Sequence, residues 1–150
     1  MPQSLIKNYV HIIFSTKHRY PFIQKPIRSE LFKYLAGLCK ELESFPVCVG
    51  GVEDHVHLLI NLSQKMALMD LIEKLKVRSS KWIKSKGPSY ENFYWQRGYG
   101  CFSVNPNQMG AVQKYILNQE AHHKKASFQE EYRGFLEKYR ISYDDRYVWD

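Results

Sequence analysis

The chain is poor in cysteine, deficient in acid and without a long apolar run. Cys39, Cys48 and Cys101 are widely spaced and form no C-x-x-C pair. That indicates neither a disulfide framework nor a zinc knuckle, and a reducing compartment fits best. No apolar stretch approaches the roughly 20 residues that cross a bilayer. The opening MPQSLIKNYV has no signal-peptide core, so a cytoplasmic protein with no membrane partner is expected. No repeat, low-complexity tract or linker divides the 150 residues, so residues 1–150 are expected to form one domain. What is present completes the picture. A content of 44% hydrophobic and 15% aromatic residues excludes a largely disordered chain. Fifteen Asp and Glu face twenty-two Lys and Arg, a net charge of +7 that favours a polyanionic partner. Eleven tyrosines supply rings on which unpaired bases can stack.

YVHIIF, Tyr9 to Phe14, is β-branched and aromatic and is followed by the breaking run STKHRYPF, which marks a first strand. From Pro26 to Glu43, Ile27, Leu31, Leu35, Leu38 and Leu42 recur at helical steps, with Pro26 suited to the first turn. PVCVGGV and HVHLLINL, joined by Glu53-Asp54, read as an antiparallel hairpin. A long basic helix is expected over Ala67 to Lys86, ended by KGPS. FYWQRGYGCFSV returns to short strand-like pieces. Asn105 can then cap a helix beginning at Pro106, with Gln108 in a capping-box position, running to Lys124 or Lys125. Another helix is expected over Phe128 to Tyr139. This order describes an α+β fold, an antiparallel sheet covered by helices.

Within the hairpin, EDHVHLLI places His55 and His57 one residue apart. Alternate strand residues share a face, so both imidazoles stand on one side while Val56, Leu58 and Ile60 face the other, which is expected to be the core side. Backbone positions about 6.6 to 6.8 Å apart let both rings lean toward one ion. By ligand type alone, paired imidazoles suit zinc or another late transition metal. In YILNQEAHHKK, Tyr115 and Gln119 are four residues apart and share a helical face. An amide oxygen able to complete a metal site thus lies one turn from a phenol able to attack. His123 follows on nearly the same face and can reach an ion or a phosphate, or, with His122, simply form a helix end where positive charge is favourable. His11 on the first strand has no parity legible from sequence and is read as a core residue.

Taken in order, VHIIFSTKHRYP, EDHVHLLI, LKVRSSKW, WQRGYGCFSV and VQKYILNQ resemble the HUH-type single-strand DNA tyrosine transposases. These are the TnpA-like enzymes of the insertion sequence 200/605 group and their relatives associated with repetitive extragenic palindromes. The resemblance runs along nearly the whole chain and implies a ferredoxin-like or RRM-like antiparallel sheet. It further implies that His55, His57 and Gln119 hold Mg2+ or Mn2+, and that Tyr115 is the nucleophile. The implied reaction cleaves and rejoins single-stranded DNA at element ends through a 5′-phosphotyrosine. A DNA hairpin is the recognition element, and the protein is expected to be a homodimer. Lys74, Arg78 and Lys81 on the basic helix, Lys17 and Arg19 after the first strand, and Lys114 beside the tyrosine are the expected DNA contacts. Two other readings compete: an RRM-like module that binds single-stranded nucleic acid without catalysis, and a metal-dependent nuclease in which water attacks.

Overall fold

The computed structural model describes residues 2–150. Four strands, β1 (Tyr9–Ser15), β2 (Phe45–Gly51), β3 (His55–Asn61) and β4 (Gly100–Ser103), form one antiparallel sheet in the order β2-β3-β1-β4. Helix α1 (Lys25–Glu41) connects β1 to β2, and α2 (Leu68–Lys84) connects β3 to β4. The β1-α1-β2-β3-α2-β4 order, with β3 seated between β2 and β1, is the ferredoxin-like arrangement.

The hairpin forms because both of its strands are β-rich and only Val52 to Asp54 separate them. On one face of the sheet Val10, Ile12, Phe14, Val56, Leu58 and Ile60 pack against Leu31, Leu35 and Leu38 of α1 and Leu71, Ile72 and Leu75 of α2. Period-2 alternation in the strands and period-3.6 recurrence in the helices produce this core.

The other face is covered as well, which departs from the one-sided core expected from sequence. Ile13 and Phe102 pack under Phe128, Tyr132 and Leu136 of α5 (Phe128–Lys138). Leu59 and Val104 pack under Ile116 of α3 (Met109–Leu117). His55 and His57 are consequently fully buried. The physical reason is that their face also carries Ile13, Leu59 and Phe102, apolar surface that must leave water.

Register places Gly50, His57, Ile13 and Gly100 side by side across the four strands. Glycine at both ends of this row lets the covering helices approach. A Cβ on Gly50 would lie 2.6 Å from the carbonyl oxygen of Ile116 in α3, and one on Gly100 would lie 2.8 Å from the Tyr132 ring in α5.

The single helix expected from Pro106 to Lys125 is divided. Pro106–Gln108 is a 3-10 turn, α3 follows, and Asn118 (φ −104°, ψ 24°) separates it from the short α4 (Gln119–His122). Asn105 does cap the segment, but its side chain accepts from the Asn107 N–H, without a capping box to Gln108. Arg28 anchors α4 against α1, donating to Glu120 Oε1 at 2.9 Å. That pull from α1, with the burial of Gln119, accounts for a break that no Gly or Pro announces. Among the described residues no helix is long and apolar enough to cross a membrane.

Candidate metal centre and nucleophile

β3 supplies two imidazoles whose Nε2 atoms converge. His55 Nε2 lies 3.1 Å from Gln119 Oε1 and 3.3 Å from Glu131 Oε1, and His57 Nε2 lies 3.0 Å from Glu131 Oε1. The Nδ1 atom of each ring is held from behind, His55 by Asp54 Oδ1 at 2.7 Å and His57 by His11 Nε2 at 2.7 Å. Such outer partners fix ring orientation and tautomer, as metal-binding imidazoles require. His11 is thus both the buried residue read from sequence and a direct support of His57.

The break at Asn118 brings Gln119 inward. Its amide is buried, with Oε1 toward His55 and Nε2 donating to the Tyr115 carbonyl at 3.3 Å. His123 joins the cluster, its Nε2 lying 3.1 Å from Glu131 Oε2, with its ring against that of His55. His122 Nε2 lies 3.2 Å from the same oxygen and 3.3 Å from the Tyr115 hydroxyl.

Tyr115 stands over the pair, its ring 5.8 Å from that of His57 in the same chain, and its hydroxyl donates to Glu131 Oε2. A cleft of about 580 Å³ between α3 and α5 opens onto Tyr115, His11, His122 and Glu131. Its Tyr115 end is the access route to the hydroxyl.

Glu131 is the residue that sequence reasoning missed. A signal existed: Phe128, Glu131, Tyr132 and Leu136 recur at helical spacing and are all buried in α5, so a carboxylate interrupts an apolar stripe. A charged side chain at a core position is the informative exception to ordinary burial.

The charges form one coupled system. Burial alone would raise the Glu131 carboxyl, but bonds from His123, His55 and His57 outweigh it and hold the group well below the ordinary carboxylate range. For His55, burial opposes the charged ring, yet bonds to Asp54 and Glu131 prevail and raise its pKa to about 9. Burial lowers that of His57 to about 4, Glu131 opposing and the charges of His55 and His123 reinforcing the drop. The Tyr115 hydroxyl is pushed up, by burial first and then by the Glu131 charge.

His55, His57, His123 and Glu131 each offer a ligand atom, all within 4.8 Å of one another. Imidazole nitrogens and a carboxylate oxygen, with the Gln119 amide adjoining, form a donor set that fits a divalent cation.

The expected DNA contacts divide between the two sides. Lys114 is exposed on α3, one residue before Tyr115. Lys17 and Arg19 lie in the turn after β1, near Tyr94 and Trp149 respectively, and Trp149 in turn packs on Tyr132 of α5. Lys74, Arg78 and Lys81 line a separate cavity of about 640 Å³ along α2, on the layer opposite the histidines, where Lys65, Asp70 and Glu73 share the lining.

Comparison with known proteins identifies the family. The profile of the family described as "Transposase IS200 like" matches residues 4–119. The ISDra2 transposase TnpA of Deinococcus radiodurans is 24% identical over 114 residues, spanning 73% of this chain and 81% of its own length. A crystal structure of a Deinococcus radiodurans protein assigned as a transposase superposes with a TM-score of 0.62 at 24% identity, covering 79% of this chain and 98% of that one. A REP-associated tyrosine transposase bound to a REP hairpin superposes with a TM-score of 0.60 at 12% identity, covering 82% and 73%. A family match over so much of the chain, on a shared fold, is decisive: the chain belongs to the IS200-like transposases and is an enzyme of that family.

Proposed function

We propose that this transposase cleaves and rejoins single-stranded DNA by transesterification, with Tyr115 as nucleophile and a Mg2+ or Mn2+ site built on His55, His57 and Gln119. The observation that carries the reading is the position of the Tyr115 hydroxyl at an open cleft beside the buried, convergent nitrogens of His55 and His57. The relative bound to a REP hairpin supports hairpin DNA as the recognised element. In this reading residues 1–150 act as one catalytic domain, as a homodimer, in the cytoplasm.

A bound divalent ion supplies charge withdrawal from the scissile phosphate and stabilisation of the departing oxygen. The chain's own residues supply the rest. The Tyr115 oxygen attacks phosphorus, a phosphorus–oxygen bond forms to the ring, and the bond to the 3′ oxygen breaks, leaving a 5′-phosphotyrosine and a 3′-hydroxyl. Glu131 Oε2 accepts the phenol hydrogen and so aims the Tyr115 oxygen, and the proton leaves to water in the cleft. Burial and the Glu131 charge favour the protonated phenol, so the neighbouring positive charge of the ion would be needed for its ionisation. Attack of another 3′-hydroxyl on the phosphotyrosine rejoins strands without an external energy source.

The test is incubation with labelled single-stranded hairpin DNA and manganese, followed by a denaturing gel. A covalent adduct is expected from the wild type and none from Tyr115→Phe, which should still bind the hairpin. Adduct from the phenylalanine variant overturns the nucleophile assignment, and cleavage without any adduct favours hydrolysis by water. Because Tyr115 stands beside His57 of its own chain, mixing Tyr115→Phe with His57→Ala subunits is expected to restore no activity; restoration means that the tyrosine acts on its partner's site.

A further inference from the structure

Glu131 lies beyond residues 4–119, the part matched by the family, yet its carboxylate sits at the centre of the site. The side chain is 1% exposed. One oxygen, Oε1, faces His55 Nε2 and His57 Nε2 at 3.3 and 3.0 Å. The other, Oε2, faces His123 Nε2 at 3.1 Å and accepts from Tyr115. The two oxygens therefore divide between the histidine pair and the nucleophile.

A carboxylate this deeply buried needs a compensating cation. In the metal-free chain its oxygens are taken up by imidazole nitrogens and the Tyr115 hydroxyl, and an ion seated between His55 Nε2 and His57 Nε2 would stand directly against Oε1. Oε1 already occupies the space on which both Nε2 atoms converge. Gln119 approaches the same space from the other side, with Oε1 at 3.1 Å from His55 Nε2, and brings no charge.

From this geometry we propose that Glu131 is a direct ligand of the divalent ion through Oε1 while Oε2 holds Tyr115, so that a single carboxylate joins metal and nucleophile. The proposal rests on the metal-dependent reading above. It makes the donor set anionic and assigns to α5, outside the family-matched region, a part in the chemistry. An anionic set with several imidazoles favours Mn2+ over Mg2+, which keeps its waters and prefers oxygen donors.

The test needs no DNA. Mn2+ is titrated calorimetrically into metal-free wild type, Glu131→Gln and Glu131→Ala. Both Glu131 variants are expected to lose about tenfold or more in affinity relative to wild type, at least what loss of an outer-shell partner costs. Glu131→Gln preserves shape and guards against an alanine variant that does not fold. An infrared difference spectrum of the wild type on adding Mn2+ should also show a shifted carboxylate stretch that Glu131→Gln lacks. Wild-type affinity in Glu131→Gln, or no carboxylate shift, overturns the assignment of Glu131 alone. A wild type that binds no Mn2+ overturns the metal-dependent reading itself.

Discussion

His11 Nε2 and His57 Nδ1 lie 2.7 Å apart, so the two imidazoles of neighbouring strands are joined edge to edge behind the candidate metal centre. In the metal-free chain His57 Nε2 donates to Glu131 Oε1, which makes His57 Nδ1 the acceptor and His11 Nε2 the donor. With an ion on His57 Nε2 the hydrogen must sit on Nδ1 and the direction reverses. His11 supports both states because a neutral imidazole can donate or accept at the same atom, and burial keeps it neutral, its pKa well below the ordinary value.

His11→Phe retains a ring against Phe135 but leaves His57 Nδ1 without its partner. Mn2+ affinity is expected to fall about ten- to a hundredfold, with little change in far-ultraviolet circular dichroism. Calorimetric titration checks this, and unchanged affinity would mean that His57 is oriented by packing alone.

His55 sets a pH dependence. Its pKa in the folded, metal-free chain is raised to about 9 from 6.5, so its contribution to stability is complete below pH 6.5 and is lost as pH rises through 9. The opposite shift of His57, to about 4, acts only between pH 4 and 6.5 and does not enter this window. Burial lowers Lys76 to about 8, which adds stability as pH rises beyond that value, so the melting temperature of the metal-free protein should decline from pH 7 to 8 and then level off. Over the same range Mn2+ should bind more tightly, because binding must displace the His55 proton. Calorimetry at pH 7 in buffers of different ionisation enthalpy should register release of about one proton per ion. No release, with a flat melting curve, would show that His55 is already neutral.

Gly50→Ala should separate metal binding from strand cleavage. The new Cβ would meet the Ile116 carbonyl at 2.6 Å and its Cγ2 at 2.9 Å, forcing α3, and with it Tyr115, off the sheet. Overpacking of this kind costs about 1–3 kcal/mol. Adduct formation should fall by at least about tenfold, since a displacement of 1 Å is enough to cost more, whereas Mn2+ affinity should fall less, because Gln119 follows α3 while His55, His57 and Glu131 stand on β3 and α5. Adduct formed at the wild-type rate would show that α3 tilts without moving its tyrosine.

The basic residues should separate by the form of the DNA. Lys17→Ala with Arg19→Ala, and Lys114→Ala, are expected to weaken binding of an unpaired strand, each lost phosphate contact lowering the salt slope by about 1. Removing Lys74, Arg78 and Lys81 together should weaken only hairpin-bearing DNA, because these side chains lie on the layer opposite the cleft. Fluorescence anisotropy at several salt concentrations measures both slopes; equal losses on both substrates would refute the division.

Much of this centre is legible in the residues themselves. Alternation in a strand puts His55 and His57 together, and the one-turn spacing brings Gln119 and Tyr115 near each other. The shared side of the strand does not disclose what covers it, since Ile13, Leu59 and Phe102 only meet the histidines once the strands are in register. Asn118 ends α3 through tertiary contacts of its neighbours, the buried Gln119 and the Arg28–Glu120 pair, and local propensity carries no trace of them. Glu131 is remote in sequence from every partner but the nearby His122 and His123, and only its place in an apolar stripe marks it.

The row Gly50, His57, Ile13 and Gly100 also acts as a spacer. Three strand spacings separate its two glycines, about 14 Å, whereas helices in direct contact stand about 8–10 Å apart. Seated at opposite ends of the row, α3 and α5 cannot close on each other, and the gap left between them runs down to Tyr115. Its width is fixed by hydrogen-bonded backbone and not by adjustable side chains. Only side chains bridge it, Tyr115 of α3 meeting Phe135 and Glu131 of α5, so the reach of the phenol toward its carboxylate is a dimension of the sheet.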